Sequence, residues 1–324
     1  MILKLTSVNL NFLILTIGTF ASFIFSLFIG NLYVDGDQIY YTEAYRLVKG
    51  LDLVEGFFLY RSQISSEEPI HFFIIWIFSN IGVEKNLLMS LMNAFLILVI
   101  TRILLIWKVN RFIIFSTIVT NFYILVLFFS AERLKFSIIF ILLSILIINK
   151  KKTSLFFAIL SVLTHTQTSL LIIASSFGNF MSNILNINKS FFLNLNFWKL
   201  IFIIFFGVTL FLLKEHLSSK FSSYSDISKS KSFIENAWQS IIFLLFSLWY
   251  SKRRVATFFL FTIIILSASL VGSDRITILA YFFFMSYALR INRGFNLGVV
   301  LSIIYFGFKS TIFLSNIFQF GHGF

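Results

Sequence analysis

The chain has 324 residues, 58% hydrophobic and only 12% charged, with a mean hydropathy of +0.94. Soluble domains sit near 45–50% apolar and about 25% charged, so a soluble globular enzyme and a disordered chain are both excluded. The formal net charge of +13 is read first as a topology signal, because Lys and Arg gather in cytoplasmic loops; nucleic acid is not an expected partner. No cysteine is present, which excludes disulfides, thiol catalysis and thiolate metal sites.

Apolar segments recur at 9–33, 87–107, 112–130, 134–149, 153–181, 197–213, 237–250, 255–271, 276–289 and 295–318. They are continuous rather than alternating, which predicts helices and not a β-barrel. The first is too long for the apolar core of a signal peptide and reads as a retained anchor. The hydrophilic stretch 34–68 follows it. Next comes a run of 14 residues, 69–82, opened by the single proline, Pro69. Runs of that length are more often re-entrant or interfacial than spanning.

The basic clusters Lys108/Arg111, Lys150-Lys151-Lys152, Lys189/Lys199, Lys252-Arg253-Arg254 and Arg290/Arg293 lie in loops free of Asp and Glu. They are placed in the cytoplasm with Lys4. The stretches 34–68, 131–136, 214–236 and 273–275 hold 12 of the 13 acidic residues and are placed outside. Only one crossing then fits between 34–68 and Lys108, so 69–82 dips in or lies along the interface. Segment 153–181 must likewise go up and return, with Thr164-His165-Thr166-Gln167-Thr168-Ser169 at its apex; one long tilted helix is the alternative. Irregular backbone at that depth requires a protein or aqueous lining. The expectation is a single all-α polytopic membrane domain over 1–324 with about 11 membrane segments, including short or re-entrant helices. Its N-terminus is expected in the cytoplasm, with large outer loops at 34–68 and 214–236.

Five polar islands interrupt the apolar majority. Asp35-Gly36-Asp37 follows the first segment; its carboxylates suit cation binding or base catalysis, or a solvated loop start. Glu67-Glu68-Pro69 suits a helix start, which leaves Glu68 able to face a substrate. Glu132-Arg133-Leu134-Lys135 is pinched between two segments, where charge is costly unless it is partnered or faces a cavity. Arg133 can offer a planar fork to a phosphate, or pair internally with Glu132. His165 is either a packing partner between helices or a proton shuttle or diphosphate ligand. Ser273-Asp274-Arg275 repeats the pinched pattern and makes Arg275 a second anion ligand. Tyr40, Tyr41, Tyr60 and Tyr224 in outer stretches can stack on sugars, or are ordinary interfacial tyrosines. No Walker loop, HExxH, Gly-x-Ser-x-Gly or GxGxxG is present.

Taken in order, these residues resemble the bacterial polysaccharide polymerases of the Wzy/EpsG type. The shared pattern is Asp37-Gln38-Ile39-Tyr40-Tyr41, Glu68-Pro69, Glu132-Arg133-Leu134, His165-Thr166-Gln167-Thr168 and Asp274-Arg275-Ile276, over roughly residues 30–285. The chain departs from the family's pattern in lacking Gln after the first Arg and in having Ile70 where Gly follows Glu-Pro. The resemblance implies a membrane fold of the glycosyltransferase C type in the bacterial inner membrane, with its site facing the periplasm. It implies transfer of a glycan from undecaprenyl diphosphate to the non-reducing end of another lipid-linked repeat unit. Asp37, Glu68 and His165 are then the candidate catalytic groups, and Arg133 and Arg275 the candidate diphosphate ligands. Tyr40, Tyr41 and Tyr224 are candidate sugar contacts. No cofactor and no metal are implied. The implied partners are the lipid-linked oligosaccharide, membrane lipid and a chain-length regulator protein. A lipid-linked glycan flippase, and a ligase or acyltransferase of surface polysaccharide, are the competing readings.

Overall fold

The computed structural model describes residues 7–185, 233–271 and 273–324. Among the described residues the secondary structure is helical, with no strand. The predicted segment 197–213, residues 214–232 of the predicted loop 214–236, and Tyr224 lie outside the described residues; residues 233–236 of that loop open a helix. The chain forms two compact units: residues 1–169 with 289–324, and residues 170–288.

The first unit contains α1 (Ser7–Gly30), α2 (Asp37–Leu47), α3 (Leu53–Ile64), α4 (Pro69–Asn80), α5 (Lys85–Ile106), α6 (Arg111–Thr120), α7 (Phe122–Phe129), α8 (Glu132–Leu146) and α9 (Lys151–Thr164). Its last helix follows a 3₁₀ turn at Asn292–Gly294 and spans Leu297–Phe320. Among the described residues three stretches are long and apolar enough to cross a bilayer: Leu10–Gly30, Lys85–Ile106 and Asn292–Phe320. A fourth is reached if α6 and α7 count as one span. The 12 residues of α4 rise only ~18 Å, well short of the ~30 Å hydrocarbon core.

Two expectations are corrected. Segment 112–130 is not one straight helix: it breaks at Asn121, and α6 and α7 meet at 52°. The Asn121 side chain accepts from the Tyr123 and Ile124 N–H groups and so starts a new helix. The break frees the Thr120 carbonyl, which accepts from Ser310 Oγ on the last helix at 3.0 Å. The second concerns the internal structure of 34–68, expected as a large hydrophilic outer loop with no helix assigned to it. It folds into α2 and α3. Gln38, Tyr41, Ala44, Tyr45 and Val48 recur at helical spacing and are all buried. Asp52 caps α3 by accepting from the Val54 and Glu55 N–H groups. Burial pushes the Tyr45 phenol up to about 12, so it stays protonated and donates to the Val83 carbonyl at 2.7 Å.

Serine pairs lock α8 to α9. Ser137 and Ser161 exchange side-chain-to-carbonyl bonds at 2.6 and 2.9 Å. Seven residues further along α8 and seven back along α9, Ser144 and Ser154 do the same at 2.8 and 2.9 Å. That spacing is two turns on each antiparallel helix, so one register satisfies both pairs. Between apolar helices such bonds contribute about 0.6 kcal/mol on average and up to about 1.7. Ser137→Ala combined with Ser144→Ala is therefore expected to lower the melting temperature of the detergent-solubilised protein. Scanning fluorimetry against the wild type checks this; an unchanged midpoint would show that the zipper adds nothing.

The second unit contains α10 (Thr168–Leu185) beyond its first two residues, α11 (Phe233–Tyr250), α12 (Arg254–Val271) and α13 (Ser273–Ala288). Gly178 permits close packing of α10 on α12, since a Cβ there would stand 2.3 Å from the Ala256 carbonyl oxygen. Phe243 stacks on Phe284 and meets Tyr281 edge-on.

Candidate functional site

Three helix ends of the first unit, those of α4, α8 and α9, converge on one carboxylate. Glu68 stands at the N-cap of α4 in extended conformation, because Pro69 disfavours a helical residue before it. Arg133 lies in the first turn of α8, and Tyr41 in the middle of α2. His165 ends α9 at φ −156°, ψ 118°, so the helix breaks there and restarts at Thr168. The predicted polar apex at 164–169 is thus a helix break, which excludes the single continuous helix.

Glu68 Oε2 accepts from Arg133 Nη1 at 2.7 Å and from Ser66 Oγ at 2.9 Å. Glu68 Oε1 meets His165 Nδ1 at 2.6 Å and accepts from the Thr166 N–H at 3.3 Å. Arg133 Nε donates to the Tyr41 hydroxyl oxygen at 2.9 Å. Glu68, Arg133 and His165 are 2%, 7% and 4% exposed. A buried ion pair persists when its remaining donors and acceptors are satisfied, and both oxygens of Glu68 are. Arg133 therefore pairs with Glu68 across the fold, not with its neighbour Glu132.

The imidazole of His165 has two arrangements. Its Nε2 lies 3.1 Å from Gln167 Oε1. With Gln167 so oriented both ring nitrogens donate, and the ring is cationic. Turning the Gln167 amide over lets it donate to Nε2, and the ring is then neutral with Nδ1–H on Glu68. With Gln167 turned away from Nε2, the neutral ring is the carboxylate–histidine arrangement of a general base: the carboxylate fixes the tautomer, and the freed Nε2 lone pair can take the proton.

A second polar group surrounds this centre. Glu132, the residue before Arg133, pairs with Lys85 at 2.9 Å. Lys85 also donates to Gln38 and to Thr42, at 2.5 and 3.1 Å. His71 is fully buried; the Tyr60 hydroxyl meets its Nδ1 at 2.9 Å. Burial holds the Tyr60 phenol well above its ordinary range, so Tyr60 is the donor. Tyr41 and Phe136 pack edge-on against the His71 ring. Lys135, also fully buried, donates to the Phe128 carbonyl at 3.2 Å.

The remaining candidates are placed as follows. Asp37 begins α2, one turn before Tyr41, and is half-buried. Tyr40 is exposed, whereas Tyr41 is 5% exposed and its hydroxyl serves Arg133. Arg275 lies in the first turn of α13; its side chain lies outside the described residues. Lys85, Ser66 and His71 had been assigned no role from sequence. The one signal for Lys85 was its position at the head of a 22-residue apolar helix, where a charge needs a partner. Among the described residues no group of three or more His, Asp or Glu is placed to hold a metal ion.

Compared with known protein families, with curated proteins and with solved structures, the chain matches none.

Proposed function

We propose that the chain is a polysaccharide polymerase of the Wzy/EpsG type, a glycosyltransferase acting at the outer face of the bacterial inner membrane. The observation that carries this reading is one buried carboxylate, Glu68, holding both Arg133 and His165. These three come from three separate polar islands of a very apolar chain. Burying that much polarity is costly in a membrane protein and marks function by default. The reading includes about 11 membrane segments in a glycosyltransferase C-type fold, with the N-terminus in the cytoplasm.

The reaction joins a sugar hydroxyl of one lipid-linked unit to the anomeric carbon of another. The new C–O bond forms as the C–O bond to undecaprenyl diphosphate breaks, and the hydroxyl proton passes to a base. His165 Nε2 is that base, with Glu68 fixing its tautomer. Asp37, one turn from Tyr41, is the alternative base. The leaving diphosphate needs its charge neutralised as it develops. Arg133 carries five N–H donors, of which Nε and Nη1 serve Tyr41 and Glu68, and it supplies cationic charge; Arg275 is the second candidate diphosphate ligand on the sequence pattern alone. The activated lipid supplies the driving force, so the reaction needs no nucleotide.

Arg275→Ala is expected to remove long polymer while the protein still inserts, as read on a surface-polysaccharide gel beside an immunoblot of membranes. A normal ladder would exclude Arg275 from the diphosphate site. A strain deleted for the gene is expected to accumulate single repeat units on the outer face. Units retained on the cytoplasmic face would instead point to a flippase.

A further inference from the structure

Where α11 turns into α12, the second unit presents a groove of about 900 Å³. Leu245, Leu248 and Trp249 line it from the last turns of α11, and Val255, Phe258 and Phe259 from the first turns of α12. Among the described residues one charged side chain joins this apolar lining, that of Arg254, the first residue of α12. The apolar surface is open: Trp249 is 81% exposed and Leu245 61%.

The turn at the end of the groove carries three consecutive cations, Lys252, Arg253 and Arg254, all exposed. Among the described residues none of the three has an ion pair. No Asp or Glu occurs in the sequence between Glu235 and Asp274, so their own helices offer them no counter-charge. The turn that holds them is built rather than loose. Ser251 Oγ accepts from the Arg253 N–H at 3.1 Å and from the Thr257 hydroxyl at 2.6 Å, and both Ser251 and Thr257 are buried. The N-terminal end of the 18-residue α12 adds its positive dipole end to the same place.

We propose that this groove holds one anionic glycerophospholipid, its acyl chain along Leu245, Leu248 and Phe258 and its phosphate at Arg254 and the start of α12. The apolar lining alone accepts any lipid tail. The uncompensated cations select the headgroup, since basic pockets between membrane helices recognise anionic lipid. A guanidinium fork matches phosphate geometry, and an open tryptophan beside the cations suits the headgroup level. The turn belongs to the acid-free loops expected in the cytoplasm, where anionic phospholipid is a bulk component of the leaflet and fills a site by mass action. The proposal requires a membrane-embedded chain and is independent of the chemistry proposed for Glu68.

Native mass spectrometry of the full-length chain, released from detergent micelles, tests it. The probes are phosphatidylglycerol and phosphatidylcholine with identical acyl chains. The wild type is expected to retain one phosphatidylglycerol at least tenfold more tightly than phosphatidylcholine. Arg254→Gln is expected to reduce that preference about fivefold, the effect of one basic residue near an anionic headgroup. Arg253→Gln is the second variant, expected to reduce it in the same direction, and serves alone if Arg254→Gln fails to insert. Lys152→Gln, in a different basic loop, is expected to leave the preference unchanged, and Trp249→Ala to weaken both lipids alike. Equal retention of the two lipids by the wild type would overturn the proposal. So would a loss in Lys152→Gln as large as in Arg254→Gln, which marks general attraction to basic loops, or unchanged binding in Trp249→Ala. Displacement by inorganic phosphate would reduce the site to a free-anion site, and tighter retention of undecaprenyl phosphate than of phosphatidylglycerol would reassign it to the lipid carrier; either result overturns the assignment.

Discussion

Glu68→Gln is expected to reduce elongation at least a hundredfold and to destabilise the first unit by roughly 3–5 kcal/mol, the cost of breaking a buried ion pair by removing one partner. The substitution keeps the shape and removes the charge. Arg133 is then left buried beside a neutral amide, and His165 loses the acceptor that fixes its tautomer. Polymer formation by membranes normalised for the protein, together with a melting curve in detergent, reads both effects. Because the ion pair and the base share one carboxylate, the two losses are expected together. Arg133→Lys distinguishes them. A lysine keeps the charge but has no planar fork to reach both Tyr41 and Glu68, so stability is expected to fall less than activity.

His165→Asn is expected to lower the rate by about 10² to 10⁴, the range a positioned general base contributes. It is expected to leave stability closer to wild type than Glu68→Gln does, because the Arg133–Glu68 pair stays intact. Single-turnover elongation with a lipid-linked repeat unit measures the step itself. A rate within threefold of wild type would remove His165 from the chemistry and shift the base to Asp37.

Much of the site's cast was legible in the sequence because membrane helices make polarity conspicuous. Glu68, Arg133 and His165 each stand out against Leu, Ile and Phe, and the short run after Pro69 has the length of a helix that does not cross. The break at His165 was legible from six consecutive polar residues, 164–169. The pairing was not. Adjacent residues suggested Glu132–Arg133, but successive residues on a helix point in directions about 100° apart, so Glu132 faces Lys85 and Arg133 faces Glu68. The break at Asn121 was hidden because one Asn in an apolar run looks like a tolerated polar residue; only its capping geometry makes it a helix start. Helices α2 and α3 were hidden for the opposite reason. Their exposed faces are polar enough to read as loop, and their buried faces depend on packing against α4.

The central claim is that one carboxylate, by holding Arg133 and His165, forms the centre of glycan polymerisation. Its most direct test is elongation by the purified full-length chain in nanodiscs, supplied only with the undecaprenyl-diphosphate-linked repeat unit. The wild type is expected to convert it to a ladder with release of undecaprenyl diphosphate. Glu68→Gln, shown to be inserted and folded, is expected to return the single unit unchanged. A full ladder from that variant would contradict the account.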